Sequence, residues 1–213
     1  MAVQYPAKRV QRGHIRRDNG PSERVELITE EQYIVKGWND LTADLSAGKA
    51  VGANAPTWAT YRDGISAYSF DAGTMNEIWI VFHVLHDYAV GSKVYIHIHW
   101  SPNTTSTGVV RWGVEYTAQK GHNQGAFPAT TTIYLEDNVA SNDQYGHRII
   151  EMSDTQAFSA NLETDSLILC RIFRDAANAA DTFPDAVFGL TADVHYQVDK
   201  EVTPGKSPPF FRR

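Results

Sequence analysis

The chain has one cysteine, Cys170, among 213 residues. A single thiol cannot close an intrachain bridge, which excludes the disulfide framework on which small secreted domains rely. Long apolar runs are missing too. The longest, Ile78 to Leu85 (IWIVFHVL), falls far short of the roughly 20 residues that a membrane-spanning helix needs. The first residues, MAVQYPAKRVQRGHIRR, are basic, but no apolar stretch follows the charges. That is not the layout of a secretory signal, so synthesis in the cytosol and no membrane partner are expected. Signatures of catalysis are equally scarce: there is no Gly-rich phosphate loop, no HExxH, no GxSxG elbow and no cysteine pair for zinc. Ser66 and Ser69 have no associated base, and Glu30-Glu31 and Glu136-Asp137 fall in cap or turn contexts. A solvated charge is the default there, which leaves a glycosidase reading without support.

What is present suits one domain with arms: 23.8 kDa, 42% hydrophobic and 21% charged residues, enough for a packed core. Charge is unevenly placed. Residues 1 to 24 hold six basic side chains (Lys8, Arg9, Arg12, Arg16, Arg17, Arg24) against Asp18 and Glu23, a net +4, so the remaining 189 residues carry -10 of the overall -6. A nucleic-acid binder spreads positive charge over its folded face, so an acidic body argues against that partner. The basic leader reads either as a solvated tail or as an arm that orders on an acidic neighbouring protein.

Thr29-Glu30-Glu31-Gln32 has capping-box form, and Ile34, Trp38, Leu41 and Leu45 recur at near-helical spacing up to Gly48. This predicts one short helix, weakened by Gly37, followed by a linker from Ala50 to Pro56. Beyond it the period changes to two. Strands are expected at Ile65 to Phe70, Glu77 to Leu85, Val94 to Trp100, Val110 to Ala118, Thr130 to Leu135, His147 to Met152, Leu167 to Phe173 and Ala186 to Val198. In the third of these Val94, Ile96, Ile98 and Trp100 share one face and Tyr95, His97 and His99 the other. In the last, Phe188, Leu190, Ala192, Val194, Tyr196 and Val198 oppose Thr191, Asp193, His195 and Gln197. Eight strands with no helices alternating between them predict an all-β fold, an antiparallel jelly-roll β-sandwich with an extended N-terminal arm and one short helix. Asp175 to Pro184 reads as a long loop, and Thr203 to Pro209 (TPGKSPP) stops any strand before Phe210-Phe211-Arg212-Arg213.

Eight histidines raise the question of a metal. Gly91-SKVYI-His97-Ile98-His99 resembles the first half of the cupin motif, and histidines at i and i+2 share one strand face at a spacing of about 7 Å, workable for two ligands. The glutamate that should follow is replaced by Asn103 and Thr104. The expectation is therefore no metal, no cofactor and no catalytic residue, with hydrogen-bonded histidines on a sheet face or subunit contact. The competing reading is a metal-dependent cupin-type enzyme using His97 and His99, with Glu115, His83, His86 or His195 as further ligands. Trp79, Trp100, Trp112, Tyr95, Tyr116 and Tyr134 offer a third, a sugar-stacking carbohydrate-binding module, although at β spacing they read more readily as core.

The stretch HVLHDYAVGSKVYIHIHWSPNTTSTGVVRWGVEYTAQ, with DVHYQVD near the end, resembles a group of virion proteins from tailed bacteriophages. The likeness covers residues 38 to 200 and is carried by His97, His99, Trp100, Pro102, Trp112, Glu115, Tyr116, His195 and Tyr196. It implies a non-enzymatic β-sandwich built into the phage particle, as head decoration, neck or tail component. The organisation expected is a basic arm (1–28), a short helix and linker (29–57), a jelly-roll body (58–202) and a tail (203–213). The expected partners are further copies of the chain, a trimer being the first guess, and the major capsid protein, portal or tail components. Lys8, Arg9, Arg12, Arg16, Arg17, Phe210, Phe211, Arg212 and Arg213 would dock the arms.

Overall fold

The computed structural model describes residues 9–16, 26–33, 37–159 and 162–198, the first two segments by backbone alone. All eight expected strands are present. They are β5 (Ile65–Phe70), β6 (Asn76–His83), β7 (Tyr95–Pro102), β8 (Gly108–Gln119), β9 (Thr131–Val139), β10 (Arg148–Glu151), β11 (Leu167–Arg174) and β12 (Val187–Val198). Four more precede them: β1 (Arg9–Arg16), β2 (Glu26–Tyr33), β3 (Gly37–Asp44) and β4 (Thr57–Arg62).

Two antiparallel sheets form a jelly-roll β-sandwich. One has the order β6-β11-β8-β9. In the other, β10, β7, β12, β5 and β4 lie side by side, and β3 pairs with the second half of β12. From β5 onward the chain changes sheet at every connection except the β8–β9 hairpin. That crossing lets strands with one apolar face bury it against the opposite sheet. Ile96, Ile98 and Trp100 from β7 thus meet Ile78, Ile80, Val110, Trp112, Ile168 and Ile172 in a single core. Trp100 and Trp112 are fully buried, with ring centroids 6.1 Å apart, and Phe70 packs edge-on against Trp112 at 5.0 Å. On the far side of the four-stranded sheet Phe173 lies over Gly113, where an added Cβ would fall 2.1 Å from its ring. Only glycine fits beneath that ring.

Two expectations are corrected. The short helix is absent: Thr29 to Gln32 lies in β2, and Trp38 and Leu41 lie in β3, which pairs with β12 from Gly37 to Asp44. Pairing along eight residues of a central strand outweighs a helical spacing that Gly37 already weakens. Within the described part of that stretch, helix-like winding is confined to a 3-10 turn, Leu45–Ala47, where Asp44 Oδ1 accepts from the Ser46 amide at 2.7 Å. The second correction concerns β12. A bulge between Gly189 and Thr191 shifts its register against β7, so the faces exchange. Phe188, expected beside Ala192 in the core, instead sits on the outer face against Tyr61, centroids 5.2 Å apart.

The basic leader is not a lone arm where it is described. β1 and β2 form an antiparallel ribbon whose register sets Arg12 opposite Glu30 and Arg16 opposite Glu26. Lys8, Arg17, Phe210, Phe211, Arg212 and Arg213 lie outside the described residues.

The expected loop from Asp175 to Pro184 is held by one buried charge. Arg174, fully buried, donates to Asp181 Oδ2 from Nε at 2.9 Å and to Asp181 Oδ1 from Nη2 at 2.8 Å. Its other N–H groups reach the carbonyls of Phe70, Phe183 and Asp185 at 3.2, 2.7 and 2.7 Å. All five guanidinium donors are therefore used.

Candidate functional site

In the larger sheet the residues that alternate with the core side chains form its outer face. Register places Glu151 of β10 opposite His97 of β7, His97 opposite Asp193 of β12, and His195 of β12 opposite Asp40 of β3. Four strands thus bring three carboxylates and three imidazoles (His97, His99 and His195) onto one patch. The His97 and His195 rings lie 4.1 Å apart between centroids, and those of His97 and His99 4.8 Å apart.

The patch divides by how its atoms are engaged. His195 faces carboxylates through both nitrogens: Nε2 lies 2.8 Å from Asp40 Oδ1, and Nδ1 contacts Glu151 Oε1. His97, whose side chain is only 2% exposed, has a buried Nδ1 without a hydrogen-bond partner. Its Nε2 lies 3.4 Å from Asp193 Oδ2, and Glu151 Oε1 is 3.9 Å from its Nδ1. The same Asp193 oxygen lies 3.2 Å from His99 Nε2, outside hydrogen-bonding geometry. The far sides of His99 and Asp193 are tied down, with His99 Nδ1 2.7 Å from His147 Nε2 and Thr191 Oγ1 donating to Asp193 Oδ1 at 3.2 Å.

Burial is the main force on both imidazoles and holds each below the ordinary histidine value; for His97 the nearby His195 adds to the effect, while Asp193 opposes it at both. Neutral rings with free lone pairs next to a carboxylate can coordinate a cation. Two ligand groups meet the distance requirement among the described residues: His97 with His99 and Asp193, and His97 with His195 and Asp40.

Of the further ligands considered from sequence, only His195 arrives at this patch. His83, His86 and His122 instead surround Asp165, with Nε2 atoms 3.3, 3.5 and 2.9 Å from its carboxylate. The hydrogen bond from His122 is the largest of the influences that hold the Asp165 carboxyl below its usual range. Glu115 belongs to the outer face of the other sheet, where it accepts from Arg171 Nε at 2.8 Å and Thr130 Oγ1 at 2.7 Å. Asp193, Asp40, Glu151 and His147 were not singled out by sequence. The available signal was Asp193-x-His195, which repeats the i, i+2 spacing of His97-x-His99 on a strand.

Of the aromatic set, Trp100 and Trp112 are core, Tyr95 is buried and Tyr116 stacks on Phe158 at 4.3 Å. Trp79 and Tyr134 are on the surface, the latter beneath the Arg111 guanidinium at 4.1 Å. They form no common platform: Trp79 is on β6 and Tyr134 on β9, the two edges of the four-stranded sheet. Cys170 is buried and burial pushes its thiol up, the opposite of what a nucleophile needs. Glu136 and Asp137 pair with Arg111 and Arg148.

No protein-family profile matches the chain, and no curated protein matches it. Among solved structures, it is similar to the carbohydrate-binding module TmCBM61, solved in complex with β-1,4-galactotriose, at 14% identity and a TM-score of 0.30, over 76% of this chain and 88% of that one. A second similar structure is CBM28, a module specific for non-crystalline cellulose, at 16% identity and a TM-score of 0.32, over 78% of this chain and 89% of that one.

Proposed function

We propose that this chain is a non-catalytic structural component of a tailed-phage virion, a head-decoration or neck protein that self-associates and docks on neighbouring virion proteins. The observation that carries the reading is where the resembling residues fall. His97, His99, Trp100 and Pro102 are on β7, Trp112, Glu115 and Tyr116 on β8, and His195 and Tyr196 on β12. Four of them meet in two pairs: Trp100 packs on Trp112 across the sandwich, and His97 packs on His195 between neighbouring strands.

The outer face of the smaller sheet fits the same role. There Arg171 bridges Glu77 and Glu115, and Arg111 bridges Glu136 and Asp175. Interlocked ion pairs on a rigid sheet give a surface that matches a partner by shape and charge.

Mass spectrometry of purified particles tests the reading. The protein is expected at fixed stoichiometry to the major capsid protein or the portal; particles that form with full infectivity and contain none of it would overturn the proposal. Deleting residues 1–24 and measuring co-sedimentation with particles that lack the protein isolates the N-terminal contribution. Occupancy is expected to fall, and unchanged occupancy removes the docking role from that segment.

A further inference from the structure

We propose that His97 Nε2, His99 Nε2 and Asp193 Oδ2 bind a divalent transition-metal ion of the Zn2+ type on the outer face of the larger sheet, fastening β7 to β12. The inference goes beyond the structural role and stands independently of it. Its first support is distance. With metal–ligand bonds of about 2.0–2.1 Å, neighbouring ligand atoms on a tetrahedron lie about 3.3 Å apart. Asp193 Oδ2 is 3.4 Å from His97 Nε2 and 3.2 Å from His99 Nε2. Those spacings suit a shared ion, and His99 Nε2 is poorly aligned for a hydrogen bond to that oxygen.

The second support is how the groups behind the ligands are arranged. A ligating imidazole carries its proton on the other nitrogen and donates it to an acceptor that fixes the ring. His99 Nδ1 faces His147 Nε2 at 2.7 Å, which is that arrangement, and Thr191 Oγ1 holds the non-ligating oxygen of Asp193. The alternative group of Asp40, His97 and His195 is weaker, because His195 Nε2 and Asp40 Oδ1 lie 2.8 Å apart, a direct contact rather than the edge of a ligand tetrahedron. Two imidazoles and one carboxylate favour borderline ions such as Zn2+, Co2+ or Fe2+ over Mg2+ or Ca2+, which prefer oxygen. Three protein ligands leave a fourth position for water or a group from a neighbouring molecule.

The test uses the full, untagged chain, stripped with chelator and titrated calorimetrically with Zn2+, with Mg2+ as control and Co2+ as optical probe. One Zn2+ per chain is expected, with a dissociation constant tighter than about 10 μM and no response to Mg2+. Co2+ should give the intense visible bands of a tetrahedral site with nitrogen and oxygen ligands. Asp193→Asn and His99→Gln should abolish these bands, and His147→Gln, which touches no ligand atom, should weaken binding about 10–100-fold. Far-UV circular dichroism reports whether each variant folds, and His147→Gln keeps the test open if a ligand variant does not. His83→Gln, in the other histidine cluster, should bind as the parent does. Absence of Zn2+ uptake by the parent overturns the proposal, as does uptake that survives in Asp193→Asn and His99→Gln but is lost in His83→Gln.

Discussion

Two buried polar centres in this sandwich are built in opposite ways. Around Arg174 every donor of the guanidinium is matched, two by the Asp181 carboxylate and three by main-chain carbonyls. Asp181 also accepts from the Arg111 amide at 3.0 Å, so the charge pins a loop to two strands. Around His97, by contrast, a ring buried almost as deeply leaves its Nδ1 without a hydrogen-bond partner, and the nearest carboxylate oxygen is shared between two imidazoles at 3.2 and 3.4 Å. A buried polar group left without a partner costs about 1–3 kcal/mol. The saturated centre belongs to the fold. The unsaturated one is arranged for a ligand, and the two should respond differently to the same kind of change.

The largest expected effect is at the saturated centre. Arg174→Ala strands the Asp181 carboxylate, 1% exposed, in the interior and should cost about 3–5 kcal/mol, read as a fall in the denaturant midpoint. Adding Asp181→Ala should recover part of that loss, since the orphaned charge goes with it. An Arg174→Ala chain as stable as the parent would show that the pair contributes nothing.

The smallest effect is expected at the cluster around Asp165. Its carboxyl titrates below its ordinary value because of the hydrogen bond from His122, burial opposing and His86 and His83 assisting. A depressed carboxyl stabilises the fold above its unfolded value of about 3.9, and the contribution is lost as pH falls through the folded value. Exposure of the histidine partners limits it to at most about 1 kcal/mol. Asp165→Asn should lower stability in the neutral range by that much, and the deficit should vanish as pH falls through the folded value of the parent's carboxyl, so that the acid limb is flatter.

The eight strands from β5 to β12 were legible from apolar positions recurring with a period of two, and the core of Trp100, Trp112 and their neighbours follows from it. β3 was not. Trp38, Leu41 and Leu45 have helical spacing, and the strand exists because β12, some 150 residues later, offers an edge along its whole length, which no local pattern reveals. β4 lies at the sheet edge with Thr57, Trp58 and Thr60 exposed, so alternation gives little signal. The bulge at Leu190 inverted the inferred facing of Phe188 for a similar reason: one unpaired residue leaves no compositional trace. Of the candidate site, the His97 and His99 pair was legible from spacing within one strand. Asp193 was seen only as part of a polar face, because its meeting with them depends on the register of β7 against β12.

The most direct test of the contrast is an anomalous diffraction experiment on crystals grown with Zn2+, recorded on both sides of the zinc absorption edge. One strong peak is expected between His97 Nε2, His99 Nε2 and Asp193 Oδ2, about 2.0–2.2 Å from each, with none beside Arg174. A map that is flat at those three atoms, with His97 and His99 turned to hydrogen-bond solvent or each other, would contradict the account.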